Sequence, residues 1–418
     1  MTVRGADVDI VVVGAGAAGL AAGRRLHDSG ASVLVLEARE RVGGRAWTID
    51  SRLGKAIDLG CEWLHSADRN PWTAIARALG RAIDERLPDW STRIRRARVA
   101  PGDETDWLAA RAAFYDTLEQ AAAEGPDRPA AELLPRGGRW NAMLDAISTW
   151  ANGTELARVS IHDLARYDDS GINWRPLDGY GALIAQHGEG VPVRLAAPVS
   201  AIDHRGAAIA LETPAGSVRA RAAIVTLPTA LLAAGEPRFV PALPAKQAAA
   251  AGLPLGLANK LFLELVDGAA DRSTDTHLIG KTDRTETGSY QLRPHGWPMV
   301  QGYFGGKFAA ELERAGPEAM TAFAIDELAG LLGDGIRPRL RYLASSAWDG
   351  DRFARGGYSA ALPGHAEARA SLAAPVDDRL FFAGEACSAR DFSTAHGAYL
   401  TGIAAADQAL EALGRHDA

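Results

Sequence analysis

The spacing of apolar positions divides the chain into segments of two textures. Residues 10–13 (Ile-Val-Val-Val) and 33–36 (Val-Leu-Val-Leu) are short apolar runs with the length of buried strands, and residues 17–28 between them read as a helix. From about residue 67 to 178 the texture is helical, with helices predicted at 71–80 and 106–124 between breaks that contain Pro and Gly. Another helix starts within Asp178-Gly-Tyr-Gly-Ala-Leu. Residues 191–202 predict two short strands around Pro198. Alternation near 209–211 and 218–226 predicts a small antiparallel layer that ends at Leu227-Pro228. Strand-like runs return at 259–266 and 299–304, a helix is expected at 317–332, and residues 379–410 read as strand, glycine turn and long alanine-rich helix. The charged run Arg93-Ile-Arg-Arg96 is expected on a solvated face.

The turn between the first strand and helix carries Gly14, Gly16 and Gly19 in the spacing G-x-G-x-x-G. The first glycine permits the tight turn, the second lets a pyrophosphate approach the backbone, and the third lets the helix lie close to the sheet. The helix N-terminus then directs its N–H groups at the phosphates. Glu37, at the end of the second strand, is placed to accept the hydroxyls of an adenosine ribose, which suits an unphosphorylated ribose. Strand, glycines, helix and acid in this order point to a dinucleotide, without deciding between NAD and FAD.

Composition narrows the class of protein. At 418 residues, two or three domains are expected. A net charge of -7 argues against a nucleic-acid partner and mildly suits cationic substrates. Cys61 and Cys387 form neither a metal motif nor a disulfide framework, so no metal is expected and a reducing compartment is the simpler reading. Because no apolar run reaches the roughly 18–20 residues of a membrane span, a cytoplasmic protein without a membrane partner is expected.

Arg41-Val-Gly-Gly-Arg45 resembles the R-x-G-G-R extension of large flavoprotein oxidoreductases and so implies FAD. Further blocks follow in order: Asp58-Leu-Gly-Cys-Glu-Trp-Leu-His65, Ala223-Ile-Val-Thr-Leu-Pro228, Gly256-Leu-Ala-Asn-Lys260, residues 348–363, Phe382-Ala-Gly-Glu385 and His396-Gly-Ala-Tyr-Leu-Thr-Gly402. Nearly end to end, the chain resembles the flavin-containing amine oxidase family, the group of monoamine oxidases, polyamine oxidases and related L-amino-acid oxidases. The fold implied is α/β. A Rossmann-like FAD-binding domain is built from discontinuous segments (1–66, 179–235 and 343–418), with an interleaved α+β substrate-binding domain (67–178 and 236–342) that includes a helical part.

The resemblance implies FAD contacts from Gly14, Gly16, Ala17, Ala18, Glu37, Ala38, Arg39, Gly43, Gly44, Arg45, Gly60, Cys61, Glu62, Trp63, Val199, Trp348, Gly384, Glu385, Thr394 and Ala395. Val199 would meet the adenine from a short strand. Gly384 would approach the pyrophosphate at a helix N-terminus, and Glu385 would bond the ribityl chain. The backbone of Thr394 and Ala395 would face the pyrimidine end of the flavin. Lys260 would hold a water near flavin N5 and assist reoxidation by O2, although a lysine on a leucine-rich strand is as often a solvated edge charge. Trp348 would lie beside the flavin, Tyr358 would form one wall of an aromatic cage, and His65 would stand on the substrate side.

Two departures from the family pattern bear on chemistry. Gly357 stands where monoamine oxidases carry the cysteine bonded to flavin, so noncovalent FAD is expected. Thr394 stands at the second aromatic position, so the cage is expected to be half open, with room for a bulkier or more polar amine than a simple monoamine. The expected reaction takes an amine to an imine and O2 to H2O2. A flavin-dependent amine dehydrogenase, an L-amino-acid oxidase, a carotenoid- or porphyrinogen-type desaturase and a non-catalytic flavoprotein remain as alternatives. A homodimer is compatible with all of them.

Overall fold

The structure is a computed structural model, described here for residues 6–88, 102–266 and 274–417. Arg93-Ile-Arg-Arg96 lies outside the described residues. Two sheets organise the remainder. In the eight-stranded sheet the order is Arg238–Val240, Ala201–Asp203, Ile209–Thr213, Gly216–Val225, Val8–Val13, Val33–Leu36 and Val193–Arg194, and Leu380–Phe382 pairs with the C-terminal end of Gly216–Val225. Its centre is parallel, with Val8–Val13 between Gly216–Val225 and Val33–Leu36.

The unbroken apolar run of the first strand follows from burial on both faces. Ile10 and Val12 face the helices Ala17–Asp28, Tyr180–His187 and Ala395–Asp417, whereas Val11 and Val13 face a second core that includes Ile202, Leu211 and Leu253. The first and last of those helices touch through backbone: a Cβ on Gly402 would lie 2.2 Å from the carbonyl oxygen of Ala18.

The five-stranded sheet is antiparallel, in the order Thr276–Ile279, Ser289–Leu292, Met299–Gly305, Ala258–Leu265 and Leu340–Ser345. Strand periodicity sets the direction of its central lysine. Leu261, Leu263 and Leu265 pack with Met320, Ala324 and Leu328 of helix Pro317–Leu332. Phe262 faces Ile57 and Leu59 from the other side, and Lys260 belongs to that side by register. Lys260 is therefore buried on an interior strand, and the solvated-edge reading is excluded.

Several expectations need correction. The pair Ile209–Thr213 and Gly216–Val225 is antiparallel, but it is continuous with the large sheet, because Gly216–Val225 is long enough to pair with Ile209–Thr213, Leu380–Phe382 and Val8–Val13 together. Val199 lies in the connection between Val193–Arg194 and Ala201–Asp203 and in neither strand. That connection is held by N–H donation from Ala196 to Arg39 O and from Ala197 to Glu37 O. Gly384 opens a single 3-10 turn, Glu385–Cys387, and the long helix begins only at Ala395. Sheet membership also moves elements across the expected domain boundaries. Arg238–Val240 pairs with Ala201–Asp203 in the large sheet, while Trp72 of helix Pro71–Ala78 is fully buried with the first and last helices and donates its indole N–H to Ala395 O at 3.1 Å.

Candidate active site

A cavity of roughly 970 Å³ runs along the join of the two sheets, at the upper end of the range for small-molecule sites. Every residue expected to contact FAD lines it.

The glycines at one end have separate steric duties. A Cβ on Gly14, whose φ is +101°, would meet Thr226 Oγ1 at 2.7 Å, and one on Gly19 would strike Gly14 O at 1.9 Å. On Gly16 it would meet only Gly43 O, at 3.9 Å. Gly16 thus leaves a bare backbone facing the cavity at the N-terminus of helix Ala17–Asp28. Gly384 leaves a second, where a Cβ would have nothing within 4 Å. Glu37 is buried, and its carboxylate is oriented by N–H donation from Ala15 at 2.7 Å and Arg39 at 2.9 Å, which leaves lone pairs for a ribose. These features fit a dinucleotide, with backbone at the diphosphate and an acid at the adenosine end.

Two expected contacts also hold the chain together. Glu385 accepts from Arg45 Nη1 at 2.9 Å, from Ser359 Oγ at 2.6 Å and from the N–H groups of Ser359 and Ser393. Such a carboxylate is close to saturated, so it clamps three chain segments together and has little left for a ribityl chain. Opposing charges from Arg45 and Arg369 outweigh burial and hold its pKa below the usual carboxylate range. Thr394 Oγ1 donates to Asp391 O and accepts from Gly397 N–H at 2.9 Å, which caps the C-terminal helix.

At the other end the strand lysine meets an acid. Lys260 Nζ donates to Glu62 Oε2 at 2.8 Å and to Asp58 O at 3.0 Å. Burial alone would lower its pKa, but the Glu62 and Asp58 carboxylates outweigh burial and raise it. Glu62, correspondingly, is brought down to about 2 by Lys260 and Arg175 against its own burial. Asp58 Oδ2 receives Tyr180 N–H at 2.8 Å and Oδ1 receives Gly181 N–H at 3.1 Å, at the start of helix Tyr180–His187, so its carbonyl is fixed for the lysine. Cys61 lines the cavity nearby, its thiol pushed up to about 12 by burial and by Asp58. Trp348 is buried, with its indole N–H on Leu59 O at 3.1 Å. Trp63 lies under the Arg175 guanidinium, 4.6 Å from its ring centre.

Tyr303 is absent from the residues expected by sequence. It sits opposite Lys260 on the neighbouring strand, and its hydroxyl is 3.0 Å from that of Tyr358. Tyr358 donates to Trp150 O, which can only accept. Tyr303 must then donate to Tyr358, and its remaining lone pair is an acceptor. Tyr167 and Phe392, with ring centres 5.2 Å apart, line the same cavity. The aromatic lining expected to be broken at Thr394 is thus supplied from other elements. The only signal for Tyr303 was its place on a strand, which does not identify its neighbour.

His65 Nδ1 lies 2.6 Å from Asn173 Oδ1, and Asn173 Nδ2 donates to Gly171 O. With Oδ1 as acceptor, Nδ1 carries the proton and Nε2 is the accepting nitrogen. Burial lowers the His65 pKa, which favours this neutral form.

A model of the flavin containing amine oxidoreductase family matches residues 17–166 and 156–410. The chain is 29% identical over 441 residues to polyamine oxidase 4 of Oryza sativa subsp. japonica, covering 96% of this chain and 88% of that protein. It is 28% identical over 436 residues to polyamine oxidase 2 of Arabidopsis thaliana, covering 95% and 87%. Lysine-specific histone demethylase 1 homolog 2 of rice also matches, at 28% identity over 96% of this chain and 57% of its own length. Among solved structures, cyclohexylamine oxidase from Brevibacterium oxydans aligns with a TM-score of 0.76 at 23% identity, over 98% of this chain and 100% of that one. A redesigned putrescine oxidase aligns with a TM-score of 0.78 at 20% identity, over 97% and 99%. At these identities the structural likeness is one of fold.

Proposed function

Because this chain belongs to the flavin-containing amine oxidoreductases, FAD-dependent enzymes acting on amines, we propose that it is an amine oxidase that takes its substrate to an imine and passes the electrons to O2. The amine gives up two electrons and two protons, and O2 takes up the same to form H2O2. Water then splits the imine into a carbonyl compound and ammonia or a smaller amine. FAD, when bound, supplies the two-electron acceptor between these half-reactions.

The residues of the chain bind, orient and exclude water. Gly14, Gly16, Gly43, Gly44 and Gly384 offer backbone to the diphosphate, Glu37 takes the ribose, and Gly357 provides no sulfur for a covalent link. The faces of Tyr303, Tyr358, Phe392 and Trp348 shed water and favour a cationic or amine nitrogen. The lone pair of Tyr303 accepts an amine N–H. Neutral His65 lines the cavity and positions the arriving amine. Lys260 holds a fixed positive charge for the oxygen half-reaction.

The observation that carries this reading is the convergence of Lys260, Tyr303 and Tyr358 on one cavity, with Tyr303 opposite Lys260 and its hydroxyl bonded to that of Tyr358. Its test is anaerobic titration of the purified yellow protein with mono-, poly-, cyclic and amino-acid amines. Bleaching by at least one amine, followed by recovery and H2O2 release in air, is expected. Bleaching without recovery in air makes the chain a dehydrogenase; no bleaching by any amine overturns the reading. Denaturation is expected to release the FAD, and flavin retained by precipitated protein contradicts noncovalent binding.

A further inference from the structure

Lys260 does not meet the cavity as a lone cation. Glu62 Oε2 takes hydrogen bonds from Lys260 Nζ at 2.8 Å and from Gln301 Nε2 at 2.6 Å, and the Arg175 guanidinium stands 3.9 Å from the other oxygen, Oε1. Arg175 is itself paired with Asp84 and Asp275, so it cannot move to neutralise Glu62 without giving up those partners. Glu62 and Gln301 both line the cavity, which places the pair at the reaction end and not deep in a core. We propose that Glu62 is the positioning residue of Lys260: it fixes the ammonium, keeps it protonated and offsets its charge, so that the pair sets reactivity toward O2. This rests on Lys260 being the cation of the oxygen half-reaction.

The groups facing Lys260 are the Glu62 and Asp58 carboxylates, the Cys61 thiol and the Tyr303 hydroxyl. Of these only Glu62 bonds the ammonium through a carboxylate, whereas Asp58 meets it through its backbone carbonyl. Removing the Glu62 charge has two consequences of opposite sign. The lysine, no longer offset, exerts a stronger field while it remains protonated. Burial, which opposes its charge, then lowers the pH at which the proton is lost.

The experiment compares wild type, E62Q, E62D, K260M and the double variant E62Q/K260M as holoproteins. The flavin is reduced photochemically without an amine, and reoxidation by O2 and the flavin midpoint potential are followed from pH 6 to 10. At the acid end E62Q is expected to reoxidise roughly tenfold faster than wild type, the scale of one charge removed a few ångströms away in a partly buried site. Its midpoint potential should be higher as well. As pH rises, both readouts in E62Q should fall to the K260M values through a titration that wild type and E62D lack, and the double variant should match K260M throughout. The proposal is overturned if E62Q tracks wild type in both readouts, or if the double variant falls clearly below K260M. If K260M also tracks wild type, the assignment of Lys260 to the oxygen half-reaction has failed, and the role of Glu62 fails with it. E62D keeps the carboxylate, so restoration of wild-type behaviour there excludes a general packing defect.

Discussion

The two ends of the cavity are built in different ways. Apart from Gly384, the diphosphate and ribose end draws its residues, Gly14, Gly16, Gly19, Glu37, Gly43 and Gly44, from one stretch of 31 residues, and its geometry is largely a matter of backbone. The reaction end gathers Gly60, Glu62, Lys260, Tyr303, Trp348 and Tyr358 from segments up to about 300 residues apart, and it works through side chains and charges. The first is specified by local sterics, where a single methyl group in the wrong place is decisive. The second is specified by register between strands and by pairing across segments, so single changes should alter rates more than they alter the fold.

The largest effect should come from the backbone end. Gly19→Ala forces a Cβ to within 1.9 Å of Gly14 O, where no side chain can yield. A destabilisation of about 3 kcal/mol or more is expected, with loss of FAD. Thermal unfolding and flavin content measure it; a protein as stable and as yellow as wild type breaks the contrast. Lys260→Met should come next and leave the fold largely intact. Reoxidation is expected to slow by about a hundredfold, with a smaller change in reduction by amine. Equal slowing of both half-reactions in stopped flow would show that the two ends do not differ as described.

Glu37→Ala removes the acid at the ribose end and should lower FAD affinity, while Glu37→Asp should be milder. Equal flavin retention in the three proteins removes Glu37 from the site. The smallest expected change is Tyr303→Phe, which keeps the ring but deletes the proton given to Tyr358 and the lone pair offered to the amine. A loss of about 1 kcal/mol, roughly fivefold in kcat/KM and mainly in KM, is the scale of one hydrogen bond. An unchanged KM for the best amine would leave Tyr303 as packing only.

The difference between the ends also decides what could be read in the chain. Glycine spacing, strand length and the acid after the second strand are short-range signals, and the first strand and helix stand where periodicity places them. The direction of Lys260 was implicit in its alternation with Leu261, Leu263 and Leu265, but which face the helix Pro317–Leu332 covers was not. Tyr303 was not legible, because its place beside Lys260 depends on how one strand pairs with another. Glu62 was expected at the cofactor, and its hydrogen bond to the lysine was not foreseen. The structural partners of Glu385 and Thr394 were not legible for a related reason: Arg45, Ser359 and Asp391 come from loops whose approach no local pattern records.

The contact of Gly402 with Ala18 has a consequence for biosynthesis. The dinucleotide fingerprint leaves the ribosome before the strand Gly216–Val225 that flanks it, and long before the helix that lies across Ala18. At typical elongation speeds the interval between residue 45 and residue 402 is roughly 20 to 70 s. For most of that time the apolar run at 10–13 has no complete sheet to enter, which exposes the nascent chain to chaperones and proteases, and FAD capture is expected only once the helix that begins at Ala395 has emerged.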